Sequence, residues 1–343
     1  MQQTPVLLRK TKGKEGKNFM TDQTGILLVN LGTPKAPTKK AISAYLAEFL
    51  SDPKVVELPR LLWLPLLYGL VLPLRSKKLV HQYQSIWTEH GSPLLYLSQK
   101  LIDKIQLTLG EKYRVKLAMR YGEPSLKSAL DDLKSCSSIV ILPLYPQYSA
   151  ATTATIFDKI AEILKSWRII PTLHFINHYY KHPLYIEALA NKMRAHFIEH
   201  GYPDKLLFSF HGLPERSIHL GEPYAMQCHQ TAKLVAHALK LDLSSWQLTF
   251  QSRFGHTKWL TPYTNKTLIQ LGQQGAHRVD IVCPGFAVDC LETLEEIAQT
   301  NEAVFIEAGG KELRYIAALN DDKEHVQALT SLLLDCLNQQ KST

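Results

Sequence analysis

The chain has 343 residues, 45% hydrophobic and 20% charged, a globular composition long enough for two ordinary domains. A formal net charge of +8 favours an anionic ligand or surface, but no basic block interleaved with aromatics marks a nucleic-acid groove, so the charge reads as a bias towards acidic small molecules. The five cysteines, Cys136, Cys228, Cys283, Cys290 and Cys336, form no C-x-x-C pair, which argues against a zinc ribbon or disulfide framework and for a reducing compartment.

Residues 1–24 carry Arg9, Lys10, Lys12, Lys14 and Lys17 without the apolar core of a signal peptide, and are expected to form a disordered basic tail that directs no export, with Met20 as an alternative start. Gly25 to Leu31 is a short apolar run closed by Gly32, Thr33 and Pro34, and reads as a buried parallel strand. Thr38 then offers an N-cap to a helix with Ala41, Tyr45, Leu46 and Phe49 at helical spacing. This opens a first α/β domain expected over 25–178, with an insertion at 58–79. Inside the insertion, Leu61 to Leu74 is apolar apart from Gly69 and the prolines Pro65 and Pro73, and closes on Arg75, Lys77 and Lys78. It is shorter than the roughly 20 residues that span a bilayer. The segment is therefore either a buried core helix or an exposed lip that covers a flat apolar ligand or touches a membrane surface. On the lip reading, replacing Leu66, Leu67 and Leu70 with serine weakens ligand binding and leaves stability nearly unchanged.

Further strands are expected at 114–121, 138–145 and 169–175. A second domain over 179–320 repeats the order with strands at 205–210, 247–252, 278–282 and 303–306. A last helix within 321–343, with Val326, Leu329, Leu333 and Leu337 on one face, is expected to pack back on the first domain. Strands alternating with helices imply α/β architecture with parallel sheets and right-handed crossovers. The repeat is visible in residues as well. Leu31-Gly32-Thr33-Pro34 aligns with His211-Gly212-Leu213-Pro214, and Arg120-Tyr121-Gly122 with Arg253-Phe254-Gly255. What the halves share reads as turn and strand-end work. What differs is chemical: His211 falls opposite Leu31, Glu292 opposite Thr155 and Glu296 opposite Lys159. An imidazole and acids are thus expected on one wall of a cleft whose other wall is apolar.

His211 ends the apolar run that begins at Leu206, at the carboxyl edge of a strand, where open α/β sheets bind ligands. Asp289, Glu292 and Glu296 step by three and four residues, which aligns three carboxylates on one helix face. The alternative is an acidic first turn that favours the helix dipole, and Glu295 on a neighbouring face already supplies acid for that. A histidine facing carboxylates in an apolar cleft can hold a divalent metal through N and O ligands, or carry protons from a bulky apolar substrate. Inserting Fe²⁺ into a tetrapyrrole needs both.

Six segments in order carry a resemblance: Leu-Val-Asn-Leu-Gly-Thr-Pro (28–34), His-Gly-Ser-Pro (90–93), Met-Arg-Tyr-Gly (119–122), Leu-Tyr-Pro-Gln-Tyr-Ser (144–149), Ser-Phe-His-Gly-Leu-Pro (209–214) and Asp-Cys-Leu-Glu-Thr-Leu-Glu-Glu (289–296). From Gly25 to about Leu337 the sequence resembles the ferrochelatase family. The resemblance implies two Rossmann-like domains around a porphyrin cleft, and insertion of Fe²⁺ into protoporphyrin IX to give protoheme and two protons. It implies that His211 and Glu292 are the metal-binding and proton-accepting pair, that Asp289 and Glu296 continue the acidic file, and that their helix is locally widened like a π-bulge. It also implies cleft contacts from Leu31, Arg120, Tyr121, Tyr148, Leu66, Leu67 and Leu70. Iron is then a substrate and no cofactor is permanently bound. An iron–sulfur cluster is not expected, because Cys336 is alone among the C-terminal residues, and Cys290 stands where some relatives have histidine. The implied location is cytoplasmic, with residues 61–74 able to meet the inner face of the membrane. Coproporphyrin III as the acceptor, or a tetrapyrrole- or metal-binding protein without turnover, are the alternatives.

Overall fold

The computed structural model of the protein describes residues 21–255 and 257–338. The expected tail over residues 1–20 and the alternative start at Met20 lie outside them. Its last four residues are not tail: Thr21 opens the first strand, and its N–H donates to Ser135 O at 2.6 Å.

In chain order the first half contains β1 (Thr21–Gly32), α1 (Lys39–Leu50), α2 (Arg60–Leu66), α3 (Leu72–Ile86), α4 (Pro93–Leu109), β2 (Tyr113–Tyr121), α5 (Leu126–Leu133), β3 (Cys136–Pro143), α6 (Thr155–Leu164) and β4 (Thr172–Phe175). After α7 (Pro183–His200) the second half contains β5 (Lys205–His211), α8 (Glu215–His219), α9 (Tyr224–Ala238), β6 (Trp246–Gln251), α10 (Thr264–Gln273), β7 (Arg278–Val282), α11 (Glu302–Glu307), β8 (Glu312–Ile316) and α12 (Lys323–Asn338). The strands form two four-stranded parallel sheets with the orders β2-β1-β3-β4 and β6-β5-β7-β8. The same order twice bears out the internal repeat. The shared glycines also do one job in each half: a Cβ on Gly32 would lie 1.8 Å from Tyr121 O, and one on Gly212 would lie 2.9 Å from Gln251 O. Each lets the strand end press against its neighbour.

β1 shows why these runs become central strands. Ile26 and Leu28 enter a core that reaches α4, α7, α9, α12 and the second sheet, while Leu27 and Val29 enter a separate core under α5 and α6. A strand buried on both faces must be apolar at every position. α12 packs against α7 and α4, and Lys104 and Lys192 reach Asp321 and Asp322 at its start.

One expected strand is a helix. Residues 303–306 belong to α11, which continues the helix begun at Glu292, and the last strand is β8. The run Val304-Phe305-Ile306 looks strand-like in isolation, but Phe305 is fully buried while Ile306 is exposed, and Gly309, at φ +106°, turns the chain out of the helix.

The insertion combines both readings of Leu61 to Leu74. α2 runs through Pro65 into a π-helical turn, Leu67–Val71, before α3 begins with Pro73 in its first turn. Leu61 and Leu62 are 91% and 73% exposed, and Leu66, Tyr68, Leu70 and Leu74 are exposed too, whereas Trp63, Leu67 and Leu72 are buried against α1 and α3. Leu67 has no accessible surface, which corrects its placement among ligand contacts. Among the described residues no helix is long and apolar enough to cross a membrane. Leu67→Ala is expected to cost about 2–5 kcal/mol. Leu61→Ser and Leu62→Ser should stay within about 0.5 kcal/mol of the parent in urea unfolding.

His325, fully buried in α12, has its Nδ1 2.6 Å from Asn320 O, and burial depresses its pKa from 6.5 to about 4. The folded state therefore favours the neutral ring. Stability is greatest above pH 6.5 and falls between pH 6.5 and about 4, where the unfolded chain takes up a proton the folded chain refuses. The loss amounts to about 3 kcal/mol. Unfolding free energies measured from pH 7 to 4.5 should fall more steeply for the parent than for His325→Gln.

Candidate active site

The carboxyl ends of β5, β6 and β7 meet the Glu292–Asn301 helix, and one residue joins all four. Gln251, buried at the end of β6, accepts from Ser209 Oγ of β5 at 2.7 Å and from Cys283 Sγ at 3.4 Å. Its amide nitrogen donates to Glu292 O at 3.0 Å and approaches Glu296 Oε2 at 3.4 Å. Sequence reasoning missed Gln251, although its place one residue before the Ser252-Arg253 strand end marks it as lining the same mouth.

His211 is the last residue of β5 and half-buried, with Nδ1 2.7 Å from Gly212 O. A carbonyl can only accept, so in the neutral ring Nδ1 carries the proton and Nε2 keeps its lone pair. Glu296 faces it closely enough for an imidazolium to lower its pKa. Burial pushes the Glu296 carboxyl above its ordinary range, with Glu292 adding to the rise; hydrogen bonds from Ser252 and the histidine charge oppose it. Ser252 N–H donates to Glu296 Oε1 at 2.7 Å and Ser252 Oγ donates to Oε2. Ser252 adopts φ +62° to aim both donors at one carboxylate, a left-handed conformation uncommon outside glycine.

The helix carrying Glu292 and Glu296 is π-helical over ten residues, Glu292–Asn301, so the widening implied by the family resemblance is present and extends beyond a single bulge. Asp289 departs from its expected place. It precedes the helix, is 3% exposed, and is saturated by donors from the opposite side: Tyr315 Oη at 2.6 Å, Thr293 Oγ1 at 3.0 Å, Ala318 N at 3.2 Å and Asn320 Nδ2 at 2.7 Å. The three-and-four spacing aligns residues only inside a continuous α-helix, and here the chain is not helical at Asp289. Asp289 thus anchors the start of the helix and does not extend the acidic file.

The opposite wall comes from the first half. The phenols of Tyr45 on α1, Tyr83 on α3 and Tyr145 after β3 are pushed well up, chiefly by burial and further by the negative charge of Glu292, which they surround. Tyr145 Oη is buried without a hydrogen-bond partner. Leu31 is partly buried in the same apolar cluster as Tyr45, Tyr83 and Leu291. Tyr148 is half-buried, its N–H held by Gln227 Oε1 at 2.7 Å. Leu66 and Leu70 are exposed on the insertion.

Arg120 and Tyr121 serve the frame. Arg120 pairs with buried Asp52 and donates from Nε to Thr155 Oγ1 at 2.8 Å, and Tyr121 donates to Asp52 Oδ2 at 3.0 Å. Although burial alone would raise it, Asp52 is held below the ordinary carboxylate range by the Thr155 and Lys54 hydrogen bonds and the Arg120 charge. Tyr121 has no accessible surface, which corrects its expected contact with a ligand.

Four thiols, of Cys136, Cys228, Cys283 and Cys290, are buried. Burial raises the Cys290 and Cys283 thiols well above their usual value, with Glu292 adding at Cys290 and Asp289 at Cys283. Among the described residues no three His, Cys, Asp or Glu side chains gather at metal-ligand spacing. The arrangement offers one open imidazole nitrogen and two carboxylates on a wall facing buried phenols: groups for accepting protons and for meeting a cation in passing.

Comparison with known proteins identifies the family. The ferrochelatase family model matches residues 23–336. A ferrochelatase of Methylococcus capsulatus is 54% identical over 91% of this chain and 96% of its own length, and ferrochelatase 2 of Shewanella oneidensis is 51% identical over 91% and 97%. Among solved structures, SirB from Bacillus subtilis with Fe³⁺ superposes with a TM-score of 0.55 at 11% identity, covering 94% of this chain and 98% of that one, a likeness of fold. The family match over most of the length, with relatives at half identity, establishes that this chain is a member of the ferrochelatase family, metal-chelating lyases.

Proposed function

We propose that the chain inserts ferrous iron into protoporphyrin IX, giving protoheme and two protons, as the last step of heme synthesis. The observation that carries this reading is the His211 imidazole beside the Glu296 carboxylate at the carboxyl end of the second sheet, with Glu292 next to the buried phenols of Tyr45, Tyr83 and Tyr145. A flat macrocycle fits between the two walls, with Leu31, Tyr148, Leu66 and Leu70 as its apolar contacts. Pyrrole nitrogens are poor proton donors at neutral pH, so an acceptor must stand beside them. His211 Nε2 is that acceptor. Glu292 steadies the resulting imidazolium, and Glu296, whose raised pKa makes it a stronger base than an ordinary carboxylate, passes the proton outwards. His211 and Glu292 also supply the N and O donors that a ferrous ion exchanges for water as it enters. Asp289 acts by fixing where the helix starts, and Arg120 by bracing the first wall.

Iron is a substrate in this scheme, and the reading includes no iron–sulfur cluster: Cys283 and Cys290 are buried beside the acids, and Cys336 stands alone in α12. The exposed leucines of the insertion support a cytoplasmic enzyme that touches the membrane surface there.

Anaerobic Fe²⁺ insertion assayed with protoporphyrin IX and coproporphyrin III side by side tests the substrate, and faster turnover of coproporphyrin III would overturn the assignment. His211→Ala and Glu292→Gln are each expected to lower kcat by about 10²- to 10⁴-fold, with porphyrin affinity by fluorescence titration little changed. Glu296 adds a stability signature. Because its folded pKa is raised, the folded state holds a proton that the unfolded chain has lost, so its contribution is full at low pH and disappears as pH rises through the folded value. From pH 5 to 8, Glu296→Gln should therefore gain in Tm relative to the parent while its turnover falls.

A further inference from the structure

Three side-chain hydrogen bonds run along the wide Glu292–Asn301 helix. Gln299 Nε2 donates to Leu294 O at 3.1 Å, Thr300 Oγ1 to Glu295 Oε1 at 2.9 Å, and Asn301 Nδ2 to Glu296 O at 2.7 Å. Each bond spans five residues, the repeat of a π-helix. Glu295 differs from the other two acceptors, the backbone carbonyls of Leu294 and Glu296, because it accepts through its carboxylate, whose second oxygen is engaged elsewhere. Glu295 Oε2 accepts from Gln82 Nε2 at 2.7 Å, across 213 residues of chain, and Gln82 lies on α3, which continues the exposed insertion. Glu295 is 8% exposed, so both bonds form where water competes little. A second contact seats the same helix: the Arg75 guanidinium lies 4.1 Å over the Phe254 ring, two residues beyond Ser252. α3 therefore touches both pieces that hold Glu296, its own helix and the strand end that donates to it.

We propose that Glu295 is a positioning residue that, through Gln82, ties the π-register of this helix to the seating of α3, so that Glu292 and Glu296 hold their places while the insertion is docked. An acceptor on the first wall would do nothing for the register, and an acid serving only the helix dipole would face solvent; Glu295 does neither. The effect on turnover rests on the ferrochelatase reading, whereas the link itself is readable without substrate.

The test uses the full chain with Gln82→Ala, Thr300→Val and the exchanged pair Gln82→Glu with Glu295→Gln, which reverses donor and acceptor. Hydrogen exchange of peptides covering 292–301, measured without ligand, should quicken about tenfold or more in Gln82→Ala and in Thr300→Val, the size of a lost hydrogen bond to a charged group. The exchanged pair should restore protection. Turnover with Fe²⁺ and porphyrin should fall about tenfold in Gln82→Ala with KM within about twofold, and return in the exchanged pair. Unchanged exchange in Gln82→Ala, or no recovery in the exchanged pair, would overturn the link. Quickened exchange with unchanged kcat would overturn the positioning role. Absence of Fe²⁺ insertion by the parent protein, with exchange behaving as described, would count against the functional reading and leave the link standing.

Discussion

The buried Asp289 carboxylate is the constraint on which the site depends. It has no freedom to turn towards the cleft, because both oxygens are occupied by donors from Thr293, Tyr315, Ala318 and Asn320. Asn320 returns the bond by accepting from Asp289 N–H at 2.8 Å, and sits at φ +49° to do so. A carboxyl group out of water is tolerated only when donors satisfy it, and releasing any of them exposes its desolvation cost. The chain between β7 and β8 is therefore clamped where the next helix must begin, and Glu292 follows three residues later. His325, bonded to Asn320 O, extends the clamp into α12 and links the positioning of the acids to the closing helix.

The walls divide the work by dielectric. Phenols on the first wall stay protonated because burial and Glu292 both oppose their ionisation, so they place neutral groups able to donate beside Glu292. On the second wall Ser252 and Gln251 offer Glu296 fixed donors in place of water, which offset part of the rise that burial imposes on its carboxyl. Preorganised donors of this kind need no rearrangement when a proton arrives. The ion pair of Arg120 and Asp52 joins the turn after α1 to β2 and α6, bracing the first wall.

Most of the fold was legible because parallel strands buried on both faces leave continuous apolar runs, and because the repeated Leu-Gly-Thr-Pro and His-Gly-Leu-Pro turns mark equivalent strand ends. Segment 303–306 was misread because three apolar residues fit a buried strand and the end of a helix equally, and only the ten-residue extension from Glu292 decides between them. His211, Glu292 and Glu296 were readable from what one half has and the other lacks. Asp289 was not, since α-helical spacing says nothing about a residue before the helix, and its partners lie about thirty positions downstream. Leu67 illustrates the same limit: apolar residues in one run can take opposite faces of a π-turn, and composition does not say which face meets the core. Gln251 and Glu295 carry no motif, and their roles arise only when strands and helices distant in sequence are brought together.

The raised thiols leave Cys283 and Cys290 with little thiolate. Oxidants and soft metal ions attack sulfur as thiolate, and Cys290 and Cys283 are kept protonated by burial and by the negative charge around them. The acids that suit the cleft to cations and protons thus quench the neighbouring sulfur as well. The low reactivity expected of these two sulfurs follows from the electrostatics of the site itself.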